Sequence, residues 1–249
     1  MTRRFSQITE ITKLMEECKA LKIATLGPDV NESQIGFGVN KKGEIRFGLS
    51  AIKGMGTGAA DAIVKERETN GAYKDIFDFA QRIDLSNVNR KAFESLAYSG
   101  GFDSLGIQRE EFFGVNAKGQ TFLDALIRYA QLFQQEKAQI QNSLFGGSEE
   151  VEIAHPTIPK SDKWPAIEKL NKERELVGIY LSAHPLDEYS VILNNLCNTH
   201  TSEMGRSADM EELSKRDEIT FGGIVTSVTE RFSQKTGKPF GIVTIEDFE

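Results

Sequence analysis

Hydrophobic residues recur every three to four positions through much of the chain, which predicts a mainly α-helical protein with small β parts. The first such segment, residues 5–21, is predicted to be an amphipathic helix. Residues 34–39 and 44–47 instead have the composition of strands. They flank the four-residue turn Asn40–Gly43 and predict a β-hairpin.

A glycine-rich turn, Ile52–Ala59, leads directly into the helical pattern of residues 60–67. Glycine permits backbone conformations with positive φ and removes side chains, so that consecutive amides can face an anion at the start of a helix. The turn is therefore a candidate phosphate-binding element. The candidate residues are Lys53, Gly54, Gly56 and Gly58.

Two kinds of phosphate reader use such a turn: a dinucleotide-binding fold and a helix-hairpin-helix that holds a DNA backbone. A dinucleotide fold needs a second strand that ends in an acidic residue about 20 positions later. Residues 68–75 are polar, and residues 76–83 have helical spacing. This pattern favours the helix-hairpin-helix, while an ordinary turn between two helices remains an alternative.

A second turn enters a helix at residues 87–96 and places Arg90 and Lys91 in its first turn. Cations at a helix N-terminus oppose the helix dipole, which suggests an external anion. The two turns could hold both sides of one DNA groove. A solvated surface is the alternative interpretation of Arg90 and Lys91.

A polar, glycine-rich segment follows the helix predicted near residues 122–133. It contains the pattern Gln141-x-x-Leu144-Phe145, and an exposed apolar pair is a candidate contact for the apolar groove of a partner. The alternative is that Leu144 and Phe145 fold back on their own helix.

The C-terminal part has a low-hydrophobicity segment (146–162), then predicted helices over residues 164–181 that end at His184-Pro185. We interpret His184 as a turn residue, because no nucleophile or acid pattern accompanies it. Residues 218–232 and 240–246 predict two strands joined by a turn. Two strands alone are marginal in water, which predicts the start of a larger barrel of the OB type.

The net charge of −7 is concentrated in residues 145–249, which carry 11 Lys and Arg against 19 Asp and Glu. The region of the two turns is close to neutral, so we expect weak, sequence-independent DNA binding in isolation. The two cysteines, Cys18 and Cys197, are far apart, and no secretory signal or long apolar run is visible. These features predict a cytoplasmic protein without a metal site.

Several segments occur together in one order: 47–56, 71–84, 89–103, 141–146 and 178–187. With the predicted strands at the end, they closely resemble the bacterial replicative DNA polymerase III alpha subunit family. The resemblance implies a tandem helix-hairpin-helix on duplex DNA, an internal peptide that binds the sliding clamp, and the beginning of an OB domain for single-stranded DNA. It implies that Gln141, Ser143, Leu144 and Phe145 bind the clamp.

The resemblance divides the chain into six parts. They are the end of a fingers region with the β-hairpin (1–49), the tandem helix-hairpin-helix domain with the following helix (50–140), the clamp-binding peptide (141–145), a linker (146–162), a helical connector (163–196) and a truncated OB start (197–249).

The family's catalytic carboxylates and its histidine-rich metal cluster have no counterpart pattern here. Asp75 with Asp78 suits a helix start, and Glu246 with Asp247 suits a strand end. We therefore expect no catalytic residue, metal or cofactor in this chain. The alternatives are a free-standing helix-hairpin-helix adaptor or repair protein, and a nucleotide-dependent oxidoreductase.

Overall fold

The computed structural model describes residues 11, 13–15, 17–18, 21–116, 118–142, 153–204 and 213–247, with the backbone alone at residues 141, 142 and 202. The chain forms two compact units, residues 1–182 and 183–249. The boundary between them falls inside the predicted helical connector (163–196). Helices predominate and strands are short or few, which confirms the predicted mainly α fold with small β parts.

Five α-helices of the first unit have both ends within the described residues. They are α1 (Thr57–Asn70), α2 (Ile76–Arg82), α3 (Arg90–Ser99), α4 (Phe122–Asn142) and α5 (Ala166–Val177). The described residues between 11 and 18 are also helical, in agreement with the amphipathic pattern there. Single-turn 3-10 helices occupy Leu49–Ala51 and Asp103–Leu105, and a longer one occupies Arg109–Phe113.

A small sheet precedes the helices. Its strands are β1 (Thr25–Leu26), β2 (Gly38–Val39) and β3 (Ile45–Arg46), in the order β1-β3-β2. The antiparallel pairing of β2 with β3 confirms the predicted hairpin around Asn40–Gly43, and β1 adds a parallel strand on the other edge. This sheet leads through the first 3-10 helix into the glycine-rich turn.

Aromatic side chains form the centre of the first unit. Phe79 of α2 is fully buried, and its ring meets those of Phe93 and Phe102 edge-on at centroid distances of 5.5 and 5.0 Å. Tyr73 meets the Phe79 ring at 4.8 Å. These contacts join α2, α3 and the loop after α3 into one core, on which the glycine-rich turn rests.

Side-chain caps fix the starts of α2 and α3. The carboxylate of Asp75 accepts hydrogen bonds from the amides of Phe77 and Asp78 at 2.8 Å each. This contact confirms that Asp75 belongs to a helix start, and such a cap stabilises a helix by about 1 kcal/mol. Asn89 caps α3 through the amide of Ala92 at 3.1 Å.

The described part of the predicted linker packs on the first unit. His155 stacks on the ring of Phe77 at a centroid distance of 4.2 Å and meets Tyr129 edge-on at 5.3 Å. Ile153 packs against the same core. Residues 153–162 have no helix or strand, so these side-chain contacts hold this stretch in place.

The second unit contains the helix α6 (Ser190–Leu196) and an antiparallel ribbon of β4 (Ile224–Phe232) and β5 (Pro239–Glu246). The strand predicted over residues 218–232 is wrong at its start, because residues 218–223 are not strand. At Gly223 an added Cβ would lie 2.4 Å from the Cγ2 of Ile245, so this glycine allows a close approach at the end of the ribbon.

Two polar residues of the second unit have local structural roles. The Nδ1 of His184 accepts a hydrogen bond from the Leu186 amide at 3.2 Å, which confirms the turn role predicted for this histidine. Asp247 is buried and accepts from the amide and the hydroxyl of Thr201 at 2.7 and 2.6 Å. Its carboxylate thus fixes a loop, in agreement with its predicted place at a strand end.

Candidate nucleic-acid interface

The glycine-rich turn lies between a buried hydrophobic anchor and the exposed start of α1. Ile52 and Met55 are buried, and the Met55 amide donates to the Ile52 carbonyl at 3.0 Å. Between them Gly54 adopts φ +91°, a conformation that residues with a side chain rarely adopt. A Cβ at Gly54 would also lie 2.7 Å from the Oγ of Ser95. Both conditions explain why glycine occupies this position.

Helix α1 begins without a side-chain cap. Gly56 is its N-cap residue, and the first turn contains no acidic residue. Gly56, Thr57 and Gly58 are all exposed. The first amides of an α-helix have no acceptor within the helix, so those of α1 are open to an external acceptor, whereas α2 and α3 have side-chain caps. An anion placed here also gains from the positive end of the helix dipole.

Two lysines flank this turn. The side chain of Lys53 is exposed, and the Cε of Lys91 in α3 approaches to 3.1 Å from where a Cβ of Gly54 would be. Lys91 therefore lies beside the first turn. The sequence places Lys91 in the second turn, which could hold the other side of the DNA groove. In the structure Lys91 also lies next to Gly54, because α3 packs directly behind the first turn.

The side chain of Arg90 forms ion pairs with carboxylates of α3 and α4. Its Nε donates to the Asp124 carboxylate at 2.9 Å, and its Nη1 lies 3.5 Å from Glu94. The hydrogen bond to Asp124 raises the pKa of Arg90. Hydrogen bonds from Thr121, and to a smaller extent from Arg90, lower the pKa of Asp124. The two carboxylates offset the positive charge of the guanidinium, which weakens its attraction for a phosphate. The phosphate contact of Arg90 thus stays a prediction that these ion pairs oppose.

The backbone of Lys53 joins the turn to two helices. The Lys53 amide donates to the carbonyl of Leu176 in α5 at 2.9 Å. The Lys53 carbonyl accepts from the Oγ of Ser95 in α3 at 3.0 Å. Sequence reasoning missed both contacts, because Leu176 is more than 120 positions away and no local pattern marks it as a partner.

An open groove of about 380 Å³ runs beside α1, between this helix and the turn before α3. Its charged lining is largely paired: Lys65 with Asp61 at 2.7 Å, and Arg82 with Glu66 at 3.0 Å. Asp84 also lines the groove, and the hydrogen bond from Ser86 lowers the pKa of its carboxyl group. This acidic groove is a poor surface for phosphate, so the candidate interface is confined to the turn and its lysines.

The proposed clamp-binding residues fall largely outside the described structure. Helix α4 extends to Asn142, so the backbone of Gln141 is helical. The Gln141 side chain and all of Ser143, Leu144 and Phe145 lie outside the described residues. Their role therefore stays a prediction.

The described residues contain neither a metal-binding cluster nor a membrane-spanning helix. No set of three or more His, Cys, Asp or Glu residues is arranged there to hold a metal ion. None of the described helices is both long enough and apolar enough to span a membrane.

Residues 22–112, which include the glycine-rich turn and the helices α1 to α3, match the family model described as helix-hairpin-helix motif. The chain is also similar, across 99% of its length, to proteins named DNA polymerase III subunit alpha. It is 33% identical to the one from Vibrio cholerae, 34% to that from Haemophilus influenzae and 32% to that from Escherichia coli K12. These matches confirm the resemblance, and the chain is a relative of one segment of the bacterial DNA polymerase III alpha subunit. It spans about a fifth of the length of these curated relatives.

Proposed function

We propose that this chain is a non-catalytic portion of a bacterial replicative DNA polymerase that positions duplex DNA and attaches to the sliding clamp. The observation that carries the DNA-binding half is the uncapped start of α1, exposed behind the glycine turn and flanked by Lys53 and Lys91. The match to the helix-hairpin-helix motif includes this turn.

In this proposal the amides at the start of α1 donate hydrogen bonds to phosphate oxygens of one DNA strand. The ammonium groups of Lys53 and Lys91 neutralise neighbouring phosphates and release counterions. Contacts of this kind position a duplex without reading its sequence. The function is therefore sequence-independent DNA holding, with few cationic contacts and modest affinity.

A weak DNA-binding site binds more of its DNA when a second contact holds it close to the duplex. If residues 141–145 bind a clamp that encircles DNA, the turn reaches the duplex at a high effective concentration without any new contact. Processivity is then a property of the two sites together. The relatives from Vibrio cholerae, Haemophilus influenzae and Escherichia coli K12 are each named DNA polymerase III subunit alpha, which supports this assignment over a free-standing adaptor.

Single-stranded DNA is a third proposed partner, bound by the ribbon of the second unit if it belongs to a complete OB domain. Phe232 is 73% exposed and Phe240 is 45% exposed near the hairpin end of β4 and β5. Exposed aromatic rings on strands can stack against bases without sequence preference.

Replacing both lysines is expected to weaken duplex binding and its dependence on salt. Each cation that neutralises a phosphate contributes about one unit to the salt slope, so Lys53→Ala/Lys91→Ala should lower the slope by about two. Fluorescence anisotropy with a labelled duplex, measured over a series of salt concentrations, provides both quantities.

The matched control is Lys41→Ala/Lys42→Ala, which removes the same charge from two exposed lysines in the β2–β3 turn. It should lower affinity only slightly and leave the slope nearly unchanged. Equal losses in the two double variants would mean that general charge, and not the glycine turn, holds the DNA.

Clamp binding is tested by Leu144→Ala/Phe145→Ala. Apolar anchors of short peptides carry most of their binding free energy, so the variant should bind a bacterial sliding clamp about tenfold more weakly or worse. Surface plasmon resonance with immobilised clamp measures this. Val191→Ala/Ile192→Ala, a pair of exposed apolar residues on α6, should bind like the wild type. A wild-type chain that does not bind would refute the clamp half of the proposal.

A further inference from the structure

We infer that helix α5 sets the geometry of the phosphate-binding turn, and that the buried pair Arg109–Glu173 holds α5 in place for this purpose. Arg109 and Glu173 would then be positioning residues for DNA binding. The inference rests on the proposed DNA-binding function and extends it to a helix that the sequence marks only as part of a connector.

The ion pair is almost completely removed from solvent. The side chains of Arg109 and Glu173 are 6% and 2% exposed, and Arg109 Nη1 lies 2.9 Å from the Glu173 carboxylate. Arg109 Nη2 also contacts Asp103 at 2.6 Å. The guanidinium lies over the C-terminus of α3, where a Cβ on Gly100 would come within 2.1 Å of it. Arg109 thus joins the end of α3 to α5.

Within the described residues, the Glu173 carboxylate bonds to Arg109 and to the chain that follows α5. It accepts hydrogen bonds from the amides of Leu181 and Ser182 at 2.8 and 2.9 Å, and another from the Ser182 hydroxyl. A buried carboxylate is tolerated when a cation and hydrogen bonds compensate it, and removing one partner is then strongly unfavourable. Glu173 therefore fixes both the position of α5 and the path of the chain after it.

One turn of helix α5 connects Glu173 to the residue that contacts the glycine-rich turn. Leu176 lies three residues after Glu173 in α5, and its carbonyl accepts the Lys53 amide at 2.9 Å. The Lys53 carbonyl is held from the other side by Ser95 of α3. The peptide groups on either side of Lys53 are therefore clamped between the two helices that Arg109 and Glu173 join.

This arrangement gives α5 a specific consequence for DNA binding. A shift of α5 releases the Lys53 amide, and the turn through Gly54 to the start of α1 then loses its fixed orientation. Ordering such a turn again on the DNA costs binding free energy. Loosening the Arg109–Glu173 pair should therefore lower DNA affinity without touching any residue that contacts phosphate.

The test variant is Glu173→Gln in the full chain. An amide places an N–H group where the carboxylate accepts only, so one of its contacts is lost while the shape is kept. Amide hydrogen exchange should become faster at Lys53, and duplex affinity should fall about fivefold, within the range of couplings between distant sites.

Two controls separate positioning from charge and from stability. Glu175→Gln removes the same charge from an exposed position of α5 and should leave both readouts at the wild-type value. Leu126→Ala destabilises the core of α4 at a fully buried position, and, well below its melting temperature, it should bind DNA like the wild type. The fluorescence of Trp164, the one tryptophan of the chain, shows whether the unit is folded in each variant.

Three outcomes are distinct. Faster exchange at Lys53 with weaker binding in Glu173→Gln supports the inference. Wild-type affinity or unchanged exchange at Lys53 in that variant overturns it. If the wild type itself does not bind the duplex, the proposed function is refuted, and exchange at Lys53 alone then decides whether α5 holds the turn.

Discussion

The substitution Gly54→Ala is expected to reduce duplex DNA affinity about tenfold and to destabilise the first unit. Gly54 has φ +91°, and an added Cβ would meet the Ser95 Oγ at 2.7 Å and Lys91 at 3.1 Å. Backbone strain of this kind costs about 1–3 kcal/mol. Relief of that strain would move the turn away from Ser95 and Lys91, and a loss of about 1.4 kcal/mol in binding corresponds to the tenfold change.

The matched control for this prediction is Gly43→Ala in the β2–β3 turn. Gly43 has φ +82°, and an added Cβ there meets nothing within 4 Å. The control therefore carries similar backbone strain without a clash and lies outside the glycine-rich turn. It should destabilise the protein but leave DNA affinity within about twofold of the wild type. A Gly54→Ala protein that binds as well as this control would contradict the role of the turn.

The substitution Phe79→Ala is expected to have the largest effect on stability. Phe79 is fully buried and contacts the rings of Tyr73, Phe93 and Phe102. Removing a buried phenylalanine typically lowers the free energy of unfolding by about 3–5 kcal/mol, through lost burial and the cavity left behind. Urea unfolding followed by Trp164 fluorescence measures the change, because Trp164 belongs to the same unit.

Phe232→Ala is the corresponding control, since Phe232 is 73% exposed on the ribbon of the second unit. Its effect on unfolding of the first unit should be below about 0.5 kcal/mol. A loss of less than about 1 kcal/mol in Phe79→Ala would contradict the aromatic centre described for the core.

Local patterns were sufficient to predict the elements that carry the candidate site. The glycine turn before α1, the cap residue Asp75 and the hairpin around Asn40–Gly43 all depend on neighbours within a few positions. Turn and cap chemistry is local, so the sequence specifies it directly. The helix-hairpin-helix interpretation followed from these features, and the family match to residues 22–112 agrees with it.

The partners of the charged residues could not be predicted in the same way. Arg90 meets Asp124 from another helix, and Arg109 meets Glu173 at a separation of 64 residues. Such pairs depend on how helices pack, and a single sequence contains no signal for the packing of distant helices. The same limit applies to Lys91, whose place beside Gly54 follows from the packing of α3 behind the turn.

The most direct test of the central claim is an NMR titration of the isotopically labelled chain with a short duplex DNA, followed at each backbone amide. The account predicts that the largest chemical-shift changes occur at Gly54, Gly56, Thr57 and Gly58, at the open start of α1. Complex formation that leaves these amides unchanged, with the largest shifts on the β4–β5 ribbon or at Lys65, Arg82 and Asp84 of the acidic groove, would contradict it.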